Sequence, residues 1–186
     1  QDWAEASNAA SSVLNAVNTY QLEDQLAGVF LKKSKETIWQ FQPSRAGKNT
    51  DEASTFIFFS GPPPLVSLTA DLTDSFEPGD LRKSNWIKAV SSQGQVWYHA
   101  FKYRQNTTTS ESLEYSVVLR LAEQYLIRAE ARAEQGDLIG AREDLNKIRR
   151  RAGLSGTAAV SQQEIIKAVL QERRRELFTE YGHRFF

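Results

Sequence analysis

Residues 118–153 read VLRLAEQYLIRAEARAEQGDLIGAREDLNKIRRRAG, and this stretch decides the fold. Its first part carries apolar residues at helical spacing, namely Val118, Leu121, Ala122, Tyr125, Ala129 and Ala133. Gly136-Asp137 is predicted to end that helix, and a second helix is predicted from Leu138 to about Arg151. The alanines let two antiparallel helices approach closely, and Gly136 makes the tight reversal between them. We therefore predict a tetratricopeptide-like helical hairpin, which needs neighbouring helices to close a core.

The segment after the hairpin predicts a third helix. Ser161 and Glu164 have the spacing of a capping box, in which each side chain bonds the backbone N–H of the other residue. The inward face of this helix is predicted to consist of Ile165, Ile166, Val169, Leu170 and Leu177.

The patterns before the hairpin are weaker, and all five prolines lie at or before Pro78. A helix with Asp2 as its N-cap is predicted over residues 2–17, and a shorter one over 65–72. Residues 37–42 and 95–102 are rich in aromatic and β-branched side chains and predict two short strands.

The composition changes at the polar stretch 106–110, which is predicted to be a loop or linker. We expect residues 1–110 to form a mixed region of helix, short strands and loops. Residues 111–186 are expected to form a tetratricopeptide-like helical region, and both parts to belong to one domain. The predicted fold class is mainly α, with an α+β character limited to a few short strands in the N-terminal half.

The charge balance points away from several partners. Lys plus Arg and Asp plus Glu number 23 each, so the chain shows no electrostatic preference for nucleic acid or an anionic membrane surface. There is no cysteine, which removes disulfides and thiolate chemistry. The sequence also contains no apolar run of the roughly 20 residues that a membrane-spanning helix needs.

Known catalytic patterns are also missing from the sequence. The two histidines, His99 and His183, have no companions at metal-ligand spacing. The carboxylates of residues 71–80 are interpreted as a solvated helix end and turn, and we find no phosphate-binding glycine loop or nucleophile elbow. The sequence therefore predicts a protein that is not an enzyme and has no cofactor or metal.

Three linked motifs resemble the SusD/RagB family of outer-membrane, glycan-capturing lipoproteins. They are LRLAEQYLIRAEA at 119–131, LNKIRRRAGL at 145–154 and ERRRELFTEYGHRFF at 172–186. Their order and spacing are those of the family, and weaker signatures extend the resemblance over nearly the whole chain. Because the family is several hundred residues long, the chain resembles an internal-to-C-terminal piece of such a protein.

The resemblance implies a surface-exposed lipoprotein that passes oligo- or polysaccharide to a SusC-like TonB-dependent transporter and does no chemistry. Its membrane contact would come only through a lipid anchor absent from this chain. In this reading the motif residues are structural, serving the turn, packing and exposed ion pairs of about 0.2–0.5 kcal/mol each. These residues are Gly136, Glu172, Arg173, Glu176, Gly182 and Arg184.

Sugar capture calls for exposed aromatic rings that stack on a pyranose face beside hydrogen-bonding groups. Trp86 follows an apparent loop next to Asn85, so both residues are candidate glycan contacts and Trp86 is expected to be exposed. Trp97 and Tyr98 are further candidates, and as neighbours in a strand they should point to opposite faces. Trp39, inside the first strand, is expected in the core.

A second function is compatible with the same pattern. The helical hairpin could serve as a tetratricopeptide-type protein–protein interaction module that binds no sugar. The aromatic residues of the helical part, Phe178 and Tyr181 included, are expected to serve packing. If the chain does bind a glycan, we therefore expect the contact to come from the first hundred residues.

Overall fold

The computed structural model describes residues 2–181. The helices are α1 Trp3–Leu14, α2 Asp51–Phe56, α3 Ala70–Thr73, α4 Leu81–Trp86, α5 Leu121–Glu134, α6 Leu138–Arg151 and α7 Gln162–Glu176, with a short 3-10 turn at Leu26–Gly28. The strands are β1 Thr37–Phe41, β2 Ile87–Ser92, β3 Gln95–Ala100 and β4 Ser116–Arg120. The predicted fold class is confirmed, because the described chain is mainly helical with a few short antiparallel strands.

The predicted helical hairpin is formed by α5 and α6. Asp137 caps α6 by accepting a hydrogen bond from the Gly140 N–H at 2.9 Å. Gly136 has a φ of +84°, the left-handed conformation that a tight reversal requires. A Cβ built at this position would meet nothing within 4 Å, so the backbone conformation and not close packing calls for glycine here.

Several helix boundaries differ from the sequence pattern. Residues 116–120 form β4 rather than the first turn of α5, because β1 supplies a partner for their backbone. Helix α1 stops at Leu14 and leaves Val17 exposed, and only Ala70–Thr73 of the predicted helix 65–72 is helical. On α7, whose capping box is present as predicted, Leu170 faces solvent instead of the core.

The strands form two separate antiparallel pairs. β1 pairs with β4, and Trp39 lies opposite Leu119 while Phe41 lies opposite Ser116. β2 and β3 form a β-hairpin, whose turn contains Gln93 and Gly94 with positive φ angles.

Two hydrophobic clusters form the interior. One surrounds Trp86 and Phe30 beneath the strands, and the other lies among α5, α6 and α7. Val117 and Phe178 belong to the first cluster although both follow residue 110. The division at residue 110 stays a prediction, and the packing of these two side chains does not follow it.

Candidate functional site

A network of buried charges connects the two clusters, and it begins at Arg82. The Arg82 guanidinium lies 2.7 Å from the Asp80 carboxylate, 2.7 Å from Glu172 and 3.0 Å from Glu176. All four side chains are fully buried. Asp80 also caps α4 by accepting from the Arg82 N–H, so one carboxylate fixes both the helix and the guanidinium.

Arg120 and Arg151 continue the network from β4 and the end of α6. Arg120 contacts Glu36 at 2.8 Å, Glu176 at 2.7 Å and Glu180 at 2.7 Å. Arg151 contacts the other oxygen of Glu36 at 2.6 Å and also pairs with Glu176. Each of these carboxylates therefore has at least two cationic neighbours, including Lys102 at Glu180.

The network changes the proton affinities of its members. Burial alone would raise the pKa of Glu176, but Arg151, Arg120 and Arg82 together hold that pKa well below its usual value. Burial raises the pKa of Glu172 despite the attraction of Arg82 and Arg149. Burial also lowers the pKa of Lys102 to about 8, although Glu180 opposes this change. Because their partners lie inside the protein, these groups are withdrawn from any ligand.

The motif residues predicted to be structural take different places. Glu172 and Glu176 are fully buried and pair mainly with residues outside α7, so the prediction of exposed pairs along one helix is wrong for them. Arg173 lies 3.8 Å from Glu123 of α5. Gly182 and Arg184, like His183, lie outside the described residues.

The prediction that Trp86 is exposed is wrong. Residues 81–86 form α4 rather than a loop, and one face of this short helix turns both Arg82 and Trp86 inward. The Trp86 indole N–H donates to the Leu26 carbonyl at 3.0 Å, and the ring meets Phe30 edge-on at 5.6 Å. Asn85 is half-buried and donates to the Leu81 carbonyl within the same helix. Trp86 therefore has no free face for a sugar.

Trp97 and Tyr98 are both half-buried on β3. The Trp97 ring covers Gly61 so closely that a Cβ there would lie 2.1 Å from it, and Tyr98 packs on the first hydrophobic cluster. Their role as glycan contacts stays a prediction. Trp39, expected in the core, is 51% exposed, because it lies on the solvent face of β1.

The solvent face of the β1–β4 pair presents two aromatic rings. Trp39 and Phe41 are about half exposed, and their ring centroids lie 5.2 Å apart. Leu119, opposite Trp39, is also partly exposed. Alternation along β1 puts both rings on one side, while Val117 of β4 points into the core.

A cleft of about 490 Å³ lies beside this face, between α2, the start of β4 and residues 179–181. Glu52 of α2 accepts hydrogen bonds from the Ser116 hydroxyl at 2.8 Å and from the Tyr181 hydroxyl at 3.3 Å. Tyr181 is 51% exposed, so its predicted role in packing is wrong. The sequence did not reveal this cleft, because its walls come from three separate segments.

Within residues 2–181, no three His, Cys, Asp or Glu side chains are grouped so that they could hold a metal ion. None of the helices described there is long and apolar enough to cross a membrane.

The fold and site define part of a mainly helical protein with a tetratricopeptide-like hairpin and an exposed aromatic surface. The family model for the SusD family matches residues 74–186, and the chain belongs to that family. No curated protein sequence matches the chain.

Solved structures share this fold. The chain is similar to a SusD-like carbohydrate binding protein from Bacteroides vulgatus, with 25% identity, a TM-score of 0.74 and coverage of 97% of this chain and 40% of that one. A SusD homolog from Bacteroides thetaiotaomicron is 21% identical with a TM-score of 0.77, and the match covers 98% of this chain and 44% of that one. Surface glycan-binding protein A from Bacteroides uniformis is 20% identical with a TM-score of 0.67, and the match covers 95% of this chain and 43% of that one. The chain spans less than half the length of each of these proteins.

Proposed function

We propose that the chain is part of a glycan-binding protein that captures oligo- or polysaccharide at the cell surface. Its family membership supports this role, as does its likeness to a SusD-like carbohydrate binding protein and to a surface glycan-binding protein. The observation that carries the proposal is the exposed aromatic pair, Trp39 and Phe41, on the open face of β1.

Exposed aromatic rings on neighbouring positions of a strand face suit a sugar ligand. A ring buries the apolar C–H face of a pyranose, and polar groups nearby bind its hydroxyls. The separation of 5.2 Å between the two ring centroids keeps them within the span of a short oligosaccharide. The carboxylates that form the buried network cannot act on such a ligand, so the proposed role is capture without catalysis.

The proposal includes the cellular setting that the family resemblance implies. The parent protein would be a lipid-anchored subunit at the outer-membrane surface, and it would pass the captured glycan to a SusC-like TonB-dependent transporter. Neutral overall charge suits a partner that carries little charge itself.

The proposal is tested by affinity gel electrophoresis of the chain against a panel of polysaccharides. Retardation by at least one polymer is expected, and Trp39→Ala should reduce it with little change in the melting temperature. Ile139→Ala, which removes an exposed apolar side chain from α6, serves as the control. A chain that migrates unretarded through every gel would refute glycan binding.

The alternative, a protein-interaction module built on the hairpin, is less well supported. Helix α5 packs against α1, α6 and α7, so neighbouring helices of this chain occupy its flanks. A tetratricopeptide unit that binds a peptide presents such flanks to its partner.

A further inference from the structure

The side chains of the cleft beside the aromatic face indicate where a sugar unit would bind and which class of sugar it would be. Tyr181 forms one wall, and the Glu52 carboxylate holds the Tyr181 hydroxyl at 3.3 Å. Phe41 lies directly opposite Ser116, and the Ser116 hydroxyl donates to the same carboxylate at 2.8 Å. One carboxylate therefore connects the exposed tyrosine to the strand that bears the aromatic pair.

The orientation of Tyr181 is imposed by the backbone just before it. Thr179 has a φ of +59°, a conformation that is strained for a β-branched residue and persists only where neighbouring contacts enforce it. Those contacts come from Glu180, whose buried carboxylate pairs with Arg120 and Lys102. With Glu180 anchored inward, the next side chain, Tyr181, lines the cleft, and its hydroxyl donates to Glu52.

Glu52 has capacity left to bind a ligand. An ionised carboxylate offers about four acceptor positions, and the two hydroxyl donors use two of them. None of the ion pairs found within residues 2–181 includes Glu52, so no cation of that range neutralises its charge. Its remaining lone pairs would accept hydrogen bonds from sugar hydroxyls.

The charge of the cleft sets a limit on the sugar. None of the described residues that line it is a lysine or arginine, while Asp51, Glu52 and Glu180 are acidic. Lys48 pairs with Asp51 at 2.9 Å, and Glu180 is paired inside the protein, so among the described lining residues Glu52 is the carboxylate without an ion pair. A uronic acid in this position would place two negative charges close together.

We infer that the cleft formed by Glu52, Ser116 and Tyr181 is a subsite for neutral sugars, with a pyranose stacked on Tyr181 and its hydroxyls bound to Glu52. The inference rests on the proposed glycan-binding function and adds to it the position of one subsite and the class of sugar. Outside the cleft, Phe41 and Trp39 would contact the next sugar units of the same glycan.

Two variants and one matched pair of ligands test the inference. The ligands are the neutral polysaccharide that retards the chain most strongly and the same polymer oxidised at C6 to uronic acids. The wild-type chain should bind the neutral polymer more tightly. Tyr181→Ala should weaken that binding roughly tenfold, as expected for loss of one stacking contact. Phe59→Ala, which removes an 81% exposed ring that does not line the cleft, should leave it unchanged.

Glu52→Gln tests the charge separately from the ring. The amide keeps the shape of the side chain but removes its charge, so binding of the oxidised polymer should rise toward that of the neutral one. If wild type binds the neutral polymer while both variants bind as wild type does, the cleft is not the subsite and the glycan-binding function still stands. If wild type binds the oxidised polymer equally well, the preference for neutral sugars is refuted. If it binds no glycan in the panel, the proposed function fails and the subsite with it. Circular dichroism checks that each variant folds. If Tyr181→Ala does not fold, the comparison of Glu52→Gln with the wild type tests the inference by itself.

Discussion

At the scale of single residues, Glu176 is where the buried charges converge. Its carboxylate accepts from Arg82 at 3.0 Å and from Arg120 at 2.7 Å, and it also pairs with Arg151. Burying such charges costs several kcal/mol each, and only close, multiple pairing offsets that cost. Removing one member therefore harms stability more than an exposed ion pair would, because the remaining charges stay in the interior without compensation.

The two tryptophans Trp86 and Trp39 should respond oppositely to truncation. Trp86→Ala removes a fully buried ring and its hydrogen bond to Leu26, and we expect a loss of about 3–5 kcal/mol in the free energy of unfolding. Trp39→Ala removes a half-exposed ring and should cost less than about 1 kcal/mol. Urea denaturation of both variants measures the difference. Equal losses would show that Trp39 is packed in solution.

Gly136 offers a test of backbone conformation alone. Its φ is +84° and there is open space where a Cβ would go, so Gly136→Ala should lose about 1–2 kcal/mol from backbone strain without a steric clash. Gly136→Asn should lose less, since asparagine tolerates the left-handed region better. Thermal denaturation of both variants compares them. An alanine variant as stable as the wild type would place the chain reversal at another residue.

At the scale of elements, the helices are joined by side chains from the loops. Glu77, just before α4, accepts hydrogen bonds from Arg149 of α6 at 2.8 Å and Arg175 of α7 at 2.6 Å. The hydrogen bond from Arg149 is the main reason that the pKa of Glu77 is lowered to about 2, and the nearby positive charges outweigh the opposing effect of burial. One loop carboxylate therefore clasps two helices.

The Glu77 clasp should make stability depend on pH in a defined window. A carboxylate whose folded pKa is about 2 stabilises the fold fully above its unfolded value of 4.5, and that stabilisation disappears as pH falls through 4.5 toward 2. Glu77→Gln should therefore be less stable than wild type at pH 7 and nearly equal to it at pH 2. Denaturation measured across this range checks the result. Glu143→Gln, at an exposed position on α6, is the control, and a stability difference for Glu77→Gln that does not change with pH would contradict the ionic clasp.

Local signals explain which elements could be predicted. The turn at Gly136 and the capping box at Ser161 lie next to the helices that they delimit. The sequence pattern therefore predicted α6 and the start of α7 correctly. Strand β4 was missed because its partner β1 lies far away in sequence, and valines fit either pattern. The cleft could not be predicted for the same reason, since Glu52, Ser116 and Tyr181 meet only in the folded chain.

At the scale of the whole molecule, the buried network lies where the two hydrophobic clusters meet. Arg82 and Trp86 come from the same short helix, and they enter the network and the first cluster respectively. Glu172 and Leu177 link the network to the second cluster in the same way. Loss of either cluster would remove support from the other, so the described chain should unfold in one cooperative step.

The long loops closed by the network also have a consequence for folding kinetics. Glu176 meets Arg120 across 56 residues and Arg82 across 94, so we expect these pairs to form only after most of the chain has been ordered. Interactions that form after the transition state affect unfolding rather than folding rates. Glu176→Gln, expected to cost about 3–5 kcal/mol, should therefore speed unfolding by roughly a hundredfold or more and leave the refolding rate almost unchanged. Stopped-flow chevron analysis distinguishes this from an early role, in which refolding would slow instead. The buried charge network would then determine kinetic stability, because its ion pairs form last in folding and their loss sets the lifetime of the folded chain.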